Sequence, residues 1–145
     1  MKKLILAFLA AMCCTVMALA ANSKATKIEY EPGKIMYFIL NENHTATVTW
    51  GGNDSFSGTT EYAGSITIPS TVRYDEKDYT VTGIGDNAFL FCNTMSSVTI
   101  PEGVTSIGAW AFRACQGLNS ITIPEGVTSI GEMAFMACTR LNSIT

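Results

Sequence analysis

Charge is scarce in this 145-residue chain: 14% of its residues are Asp, Glu, Lys or Arg, and nine basic groups face twelve acidic ones, for a net charge of −3. So few cations cannot neutralise a run of phosphates, which argues against nucleic acid as a partner. Histidine is nearly missing. His44 is the single imidazole, so any Ser/His/Asp or Cys/His arrangement would have to use it. It sits in the polar stretch Asn41-Glu42-Asn43-His44 with no nucleophile marked for it, and reads as a solvated turn residue. No Cys-x-x-Cys pair with a neighbouring His supplies a zinc set, and Gly51-Gly52 is not followed by the Gly-Lys-Ser/Thr of a phosphate cradle. What is plentiful is apolar: 48% of the chain is hydrophobic, enough to exclude intrinsic disorder, in a length that makes one small domain.

The first twenty residues inflate that figure. Lys2 and Lys3 form a basic n-region, Leu4 to Leu19 an apolar run, and Ala18-Leu19-Ala20 places small residues at the −3 and −1 subsites of a signal peptidase. The pattern predicts a secretory signal over residues 1–20, cleaved after Ala20. The exported form would have 125 residues and a net charge of −5, with no transmembrane segment. An uncleaved anchor is the alternative, because the apolar run approaches the length of a bilayer span. A lipoprotein signal fits less well, since Cys13 and Cys14 follow Met12 and Cys13 where a small residue is usual.

Self-similarity organises the rest. Val98-Thr99-Ile100-Pro101-Glu102-Gly103-Val104-Thr105-Ser106-Ile107-Gly108 returns as Ile121-Thr122-Ile123-Pro124-Glu125-Gly126-Val127-Thr128-Ser129-Ile130-Gly131, changed only at its first position and offset by 23 residues. The spacing holds onward: Ala111-Phe112 with Ala134-Phe135, Cys115 with Cys138, Leu118-Asn119-Ser120 with Leu141-Asn142-Ser143. Upstream, Ile84-Gly85, Ala88-Phe89, Cys92 and Met95 fill the same slots. Ile66-Thr67-Ile68-Pro69 is an earlier strand, separated from Ile84 by nine more residues than its counterparts.

A unit this short cannot bury its own apolar face, so each coil must stack on its neighbours and set like residue on like residue. The predicted core ladders are Phe89/Phe112/Phe135, Met95/Leu118/Leu141, Val98/Ile121/Ile144, Ile100/Ile123, Val104/Val127 and Ile84/Ile107/Ile130. Period-2 alternation makes Ile-Thr-Ile a short strand with Thr outward, and Pro101 and Pro124 end it because they lack a backbone donor. Gly108 and Gly131 suit tight corners, and the Ala-Phe segments are expected as short helical turns. The expected fold is therefore a mixed β/α solenoid over 65–145, incomplete at its C-terminus, behind an N-terminal β cap over 21–64. In the cap, Ile35 to Leu40 and Ala46 to Trp50 are strand candidates about the 41–44 turn, and Gly51 to Gly58 is a loop. Asp75-Glu76-Lys77-Asp78 is expected to turn a second hairpin between Val72-Arg73-Tyr74 and Tyr79-Thr80-Val81. Such a cap covers an edge that would otherwise pair with another chain.

These residues resemble the BspA-like leucine-rich-repeat family, whose unit reads Ile-Gly-x-x-Ala-Phe-x-x-Cys-x-x-Leu-x-x-Ile-x-Ile-Pro-x-x-Val. The likeness runs from Ile66 to Thr145, with Met95 in place of the usual Leu. The stretch from Ile68 to Val72, followed by Tyr79 to Gly85, is similar to the hairpin that leads into the family's first coil. The resemblance implies a secreted or cell-surface protein that adheres to host matrix or to other cells through protein contacts. It implies no catalytic residues, and no cofactor is expected. The alternative is a segment of a longer repeat protein whose binding surface lies in further coils. Because the last coil has nothing stacked on it, self-association through that open end is also expected.

Other chemistry is weaker. Cys92, Cys115 and Cys138 form one ladder; an odd set of parallel thiols favours a reduced packing column over a disulfide. Asp75, Glu76 and Asp78 could suggest calcium, but a hairpin turn with Lys77 among them accounts for the charge. Asn43-His44-Thr45 and Asn53-Asp54-Ser55 match the glycosylation acceptor pattern, which matters only in a eukaryotic host. Function on such a scaffold falls to the slots the ladders leave free. Along the strand face these are Thr99 and Thr122, with Asn119 beside them. In the turn, Asn87 becomes Trp110 and then Met133, and Leu90 becomes Arg113 and then Met136. Large exposed Trp, Arg and Met side chains are enriched at contact sites. The candidate partner-binding residues are thus Trp110, Arg113, Met133, Met136, Asn119, Thr99 and Thr122. The competing reading packs the large ones on the coils' own flank.

Overall fold

The computed structural model describes residues 25–50 and 62–144. The expected signal segment with Cys13 and Cys14, the Gly51–Gly58 loop with the Asn53 acceptor, and Thr145 lie outside the described residues. Alternating apolar and polar residues make β1 (Ala25–Glu31), which turns at Pro32-Gly33 into β2 (Lys34–Leu40) and then β3 (Thr45–Thr49), all antiparallel. Gly33 takes a left-handed φ of 75° in that turn, where a Cβ would be strained. The strand β1 was not foreseen, although Ile28 and Tyr30 alternate with Lys27, Glu29 and Glu31.

The hairpin of β5 (Thr71–Tyr74) and β6 (Lys77–Ile84) turns on Asp75 and Glu76 alone, with φ of 47° and 61°. That pair of left-handed residues is the two-residue turn that matches strand twist. Lys77 and Asp78 therefore belong to the strand, and Asp78 is held by Arg73 at 3.1 Å across the hairpin. β6 continues alongside β3 in parallel, and then pairs in parallel with β8 (Ser106–Ile107), which pairs with β10 (Ser129–Ile130). One mixed sheet thus runs from the N-terminal hairpins into the repeats. The second sheet is parallel throughout: β4 (Gly64–Thr67), β7 (Met95–Thr99), β9 (Ser120–Thr122) and β11 (Ser143–Ile144) pair in that order. Each repeat therefore carries two strands, where the sequence suggested one.

The core between them follows the 23-residue ladders. Phe89, Met95, Val98, Val104, Ile107, Phe112, Leu118 and Ile121 are buried, whereas their counterparts in the last coil open progressively, to 50% exposure at Ile130 and 54% at Ile144. The rings of Phe89 and Phe112 stack at 5.0 Å and 5° between planes, and those of Phe112 and Phe135 at 5.3 Å and 1°. Tyr62 closes the column from above, edge-on to Phe89 at 5.0 Å.

The expected helical turns are absent: no described residue is helical. Two residues per coil adopt left-handed φ, Asn87 and Phe91, then Trp110 and Ala114, then Met133 and Ala137, between 53° and 61°. A right-handed helix cannot run through such residues. The amides alternate instead. Those of Ala88, Leu90 and Cys92 donate three residues back, to the carbonyls of Gly85, Asn87 and Phe89, while those of Asn87, Phe89 and Phe91 donate to Ala109, Ala111 and Arg113 of the next coil. Trp110, Phe112 and Ala114 repeat this toward Glu132, Ala134 and Met136 at 3.0, 2.8 and 2.7 Å. Gly108 and Gly131 have a related cause. Neither needs a left-handed φ; a Cβ on Gly108 would lie 2.5 Å from the Asp86 amide nitrogen, and one on Gly131 2.4 Å from that of Ala109. The corner is glycine because successive backbones approach there.

Candidate functional site

The turn of the coil projects the candidate residues. Trp110 and Arg113 are the ends of one turn, closed by the Arg113 N–H donating to the Trp110 carbonyl at 3.1 Å. Their side chains rise on the same side, with the guanidinium carbon 5.4 Å from the Trp110 ring centroid, a cation–π geometry. Trp110 is 40% exposed although coils flank it on both sides, so its slot faces solvent irrespective of where the array stops. Met133 and Met136 occupy the same two slots in the next coil, exposed at 48% and 45%. That coil is held in register by the donations from Trp110 and Ala114 to Glu132 and Met136. These four side chains form one outward patch of two apolar thioethers, an indole and a single cation.

Thr99, Thr122 and Asn119 lie elsewhere. Thr99 and Thr122 face each other across β7 and β9, both exposed. Asn119 is exposed just before β9, and its backbone is engaged on both sides, donating to Ser96 and accepting from Asn142. The hydroxyls in that sheet also bond among themselves, Ser97 Oγ to Ser65 Oγ at 3.0 Å. The candidates therefore divide into an apolar turn patch and a hydroxyl-bearing strand face. The Arg113–Trp110 stack was not anticipated, though the three-residue separation was its signal.

Charge near the turn patch is sparse. From Asp78 onward the only cations are Arg113 and Arg140, against Asp78, Asp86, Glu102, Glu125 and Glu132. The ion pairs among the described residues, Lys34–Glu31 and Arg73–Asp78, lie in or beside the N-terminal hairpins. An open groove of about 510 Å³ runs along the glycine corners and is lined by Gly85, Asp86, Ser106, Gly108, Ser129 and Gly131 among others. Its carboxylate is engaged: Asp86 Oδ1 accepts the Ala109 N–H at 2.8 Å.

Cys92 and Cys115 are buried and Cys138 half-buried, all free thiols. The Cys115 Sγ donates to the Phe89 carbonyl and the Cys138 Sγ to that of Phe112, each at 3.0 Å. Hydrogen bonds with the thiols of Cys138 and Cys92, together with burial, push the Cys115 thiol up, so it stays protonated. Cys138 is lowered to about 7, chiefly by its hydrogen bond with Cys115 and against its own burial. His44 packs edge-on to Tyr79 at 5.8 Å. Among the described residues no group of His, Cys, Asp and Glu is arranged to hold a metal ion, and no helix is long and apolar enough to cross a membrane.

Comparison with known proteins adds to this geometry. A family model described as BspA type leucine rich repeat region matches residues 52–145 in six copies. A leucine rich cell surface protein of Faecalibacterium prausnitzii is similar in structure at a TM-score of 0.61 and 35% identity, over 82% of this chain. The chain spans only 29% of that protein. A leucine-rich repeat protein of Bacteroides capillosus shares the fold at a TM-score of 0.54 and 23% identity, over 84% of this chain and 97% of its own. No curated protein matches.

Proposed function

The chain belongs to the BspA-type leucine-rich-repeat family, and from that premise we propose that it is an exported, non-catalytic module that binds protein at the cell surface or outside the cell, in adhesion to host matrix or to other cells. Residues 65–145 are the solenoid and 21–64 its cap. The contact surface is the turn patch of Trp110, Arg113, Met133 and Met136, and the separate strand face of Thr99, Thr122 and Asn119 is the second candidate surface. The observation that carries this is Trp110: a large aromatic held 40% exposed in a coil with neighbours on both sides. An indole left in water at a fixed position suits an interface anchor. The basic and apolar run of residues 1–20 supports export, and the Faecalibacterium relative is described as a cell surface protein.

The test is capture of the mature chain on immobilised extracellular-matrix proteins and on bacterial cells. Exchanging Trp110 and Met133 together for Ser should weaken capture about tenfold, while Thr99→Val with Thr122→Val should leave it unchanged. The reverse ranking would move the contact to the strand face, and no capture on any surface would count against adhesion. A second reading is a segment of a longer repeat protein whose contacts lie in further coils. It is favoured by Met133, Phe135 and Ala137, which occupy the slots whose amides upstream donate to a following coil. The coding sequence after codon 145 decides it, since further 23-residue units would support it.

A further inference from the structure

We propose that the Trp110–Arg113 pair is a receptor for an acidic peptide segment in which a carboxylate stands next to an aromatic side chain. The proposal rests on the reading of the turn patch as the contact surface and names what that surface takes.

Arg113 supplies the first reason. The guanidinium carbon lies 5.4 Å from the Trp110 ring centroid, a cation–π contact that uses none of the N–H groups in an ion pair, and those groups form a fork for two coplanar oxygens. Nothing in the described chain occupies that fork: Arg113 enters no ion pair or side-chain hydrogen bond there, and its contact is the Trp110 ring. The surroundings supply the second. The neighbours of Arg113 in its own column are Leu90 and Met136, and Trp110 is followed in its column by Met133. One cation with Leu90, Met133 and Met136 in the adjoining slots takes one anion with an apolar group attached. The exposed thioethers of Met133 and Met136 favour an aromatic there, through sulfur–ring contact.

Charge count chooses the anion. A single guanidinium neutralises a carboxylate, whereas a phosphate would bring a second negative charge beside Glu132, whose carbonyl accepts the Trp110 N–H. The fork also explains why Arg stands here. Lysine would keep the charge but lose the fork.

The experiment uses the mature chain, ¹⁵N-labelled, and three tetrapeptides blocked at both ends: Ser-Glu-Phe-Ser, its Gln isostere, and a form with phosphoserine in place of Glu. Shifts of the Trp110 indole N–H and the Arg113 Nε–H report binding, with Trp110→Phe identifying the indole signal. The Glu peptide should bind about tenfold tighter than the Gln peptide, as a charge-assisted hydrogen bond requires, and the difference should shrink in high salt. Arg113→Met, which copies the residue of the next coil, should abolish the preference and keep the fold; Arg113→Lys should restore only part of it. Equal binding of the Glu and Gln peptides with Trp110 shifting would overturn the acidic partner while leaving the contact surface in place. Shifts confined to Thr99 and Thr122 would overturn both. Tighter binding of the phosphopeptide, no shift at all, or the same shifts arising on concentration without peptide would each overturn the proposal, the last assigning the patch to a second copy.

Discussion

Phe112→Ala removes the middle ring of the aromatic column, and its cost can be set against that of Phe135→Ala one rung further on. Phe112 is fully buried and lies flat between Phe89 and Phe135, at 5.0 and 5.3 Å. Truncating a buried Phe costs about 3–5 kcal/mol, more where the site cannot collapse, and stacked pairs carry about 0.5–1.5 kcal/mol each beyond area. With a ring on both sides and hydrogen-bonded backbone around it, Phe112 falls near the top of that range, at about 5 kcal/mol. Phe135 is half-buried with a ring on one side only, and its truncation should cost about 2 kcal/mol. Since small domains are stable by about 5–15 kcal/mol, Phe112→Ala alone approaches unfolding. Phe112→Leu gives a measurable intermediate at about 1–2 kcal/mol. Urea denaturation followed by far-UV circular dichroism measures all three. Equal costs at the two positions, or a loss below about 2 kcal/mol for Phe112→Ala, would refute the claim that the coils are held by stacking one rung on the next.

Gly108→Ala should destabilise by about 1–3 kcal/mol, because the new methyl meets the Asp86 backbone at 2.5 Å, whereas Gly103→Ala, 3.2 Å from the Val81 carbonyl oxygen, should cost less; thermal melts compare them. Ala114→Gly should raise stability by about 0.5–1 kcal/mol by relieving the left-handed φ of 58°, and a fall in the melt would contradict the strain argument. Iodoacetamide should label Cys138 ahead of Cys115 and Cys92. The rate should rise as the pH passes about 7, where the lowered Cys138 group becomes thiolate, and mass spectrometry of the labelled peptides checks both. Expressed to Thr145, the chain should associate through its last coil, where Ile130 and Ile144 are half exposed. Ile130→Lys with Ile144→Lys should shift it toward monomer in size-exclusion chromatography, and a wild-type monomer at high concentration would count against this.

The ladders were legible because the repeat offset alone places Phe89, Phe112 and Phe135 in one column. The β2–β3 and β5–β6 hairpins were legible from alternation and turn residues, whereas β1, the partner of β2, was missed. The second strand of each coil was not: Ser106-Ile107 and Ser129-Ile130 are too short to show a period and exist only because β6 offers them an edge. The helical expectation failed for a related reason. The Ala-Phe segments suit a helix locally, and nothing in Trp110 or Ala114 announces a left-handed φ; the neighbouring coil imposes it by accepting alternate amides. At the candidate site, the sequence picked out Trp110 and Arg113 separately, but their stacking depends on the turn that joins them.

That alternation of amides gives the array a polarity. Along the turn a unit hands alternate backbone amide hydrogens to its successor, while the successor returns side-chain-linked bonds such as Ala109 N–H to Asp86 and the Cys115 thiol to Phe89, so adjoining units are interchangeable only when whole. A gene encoding such a chain can gain or lose coding blocks of one full period and keep every donor matched to an acceptor, while a slip of a few codons would misalign the entire column downstream. Variation in length and in the outward positions is thereby separated from variation in the interior, and new contact surfaces can be produced by copying units and altering only the two slots that face water.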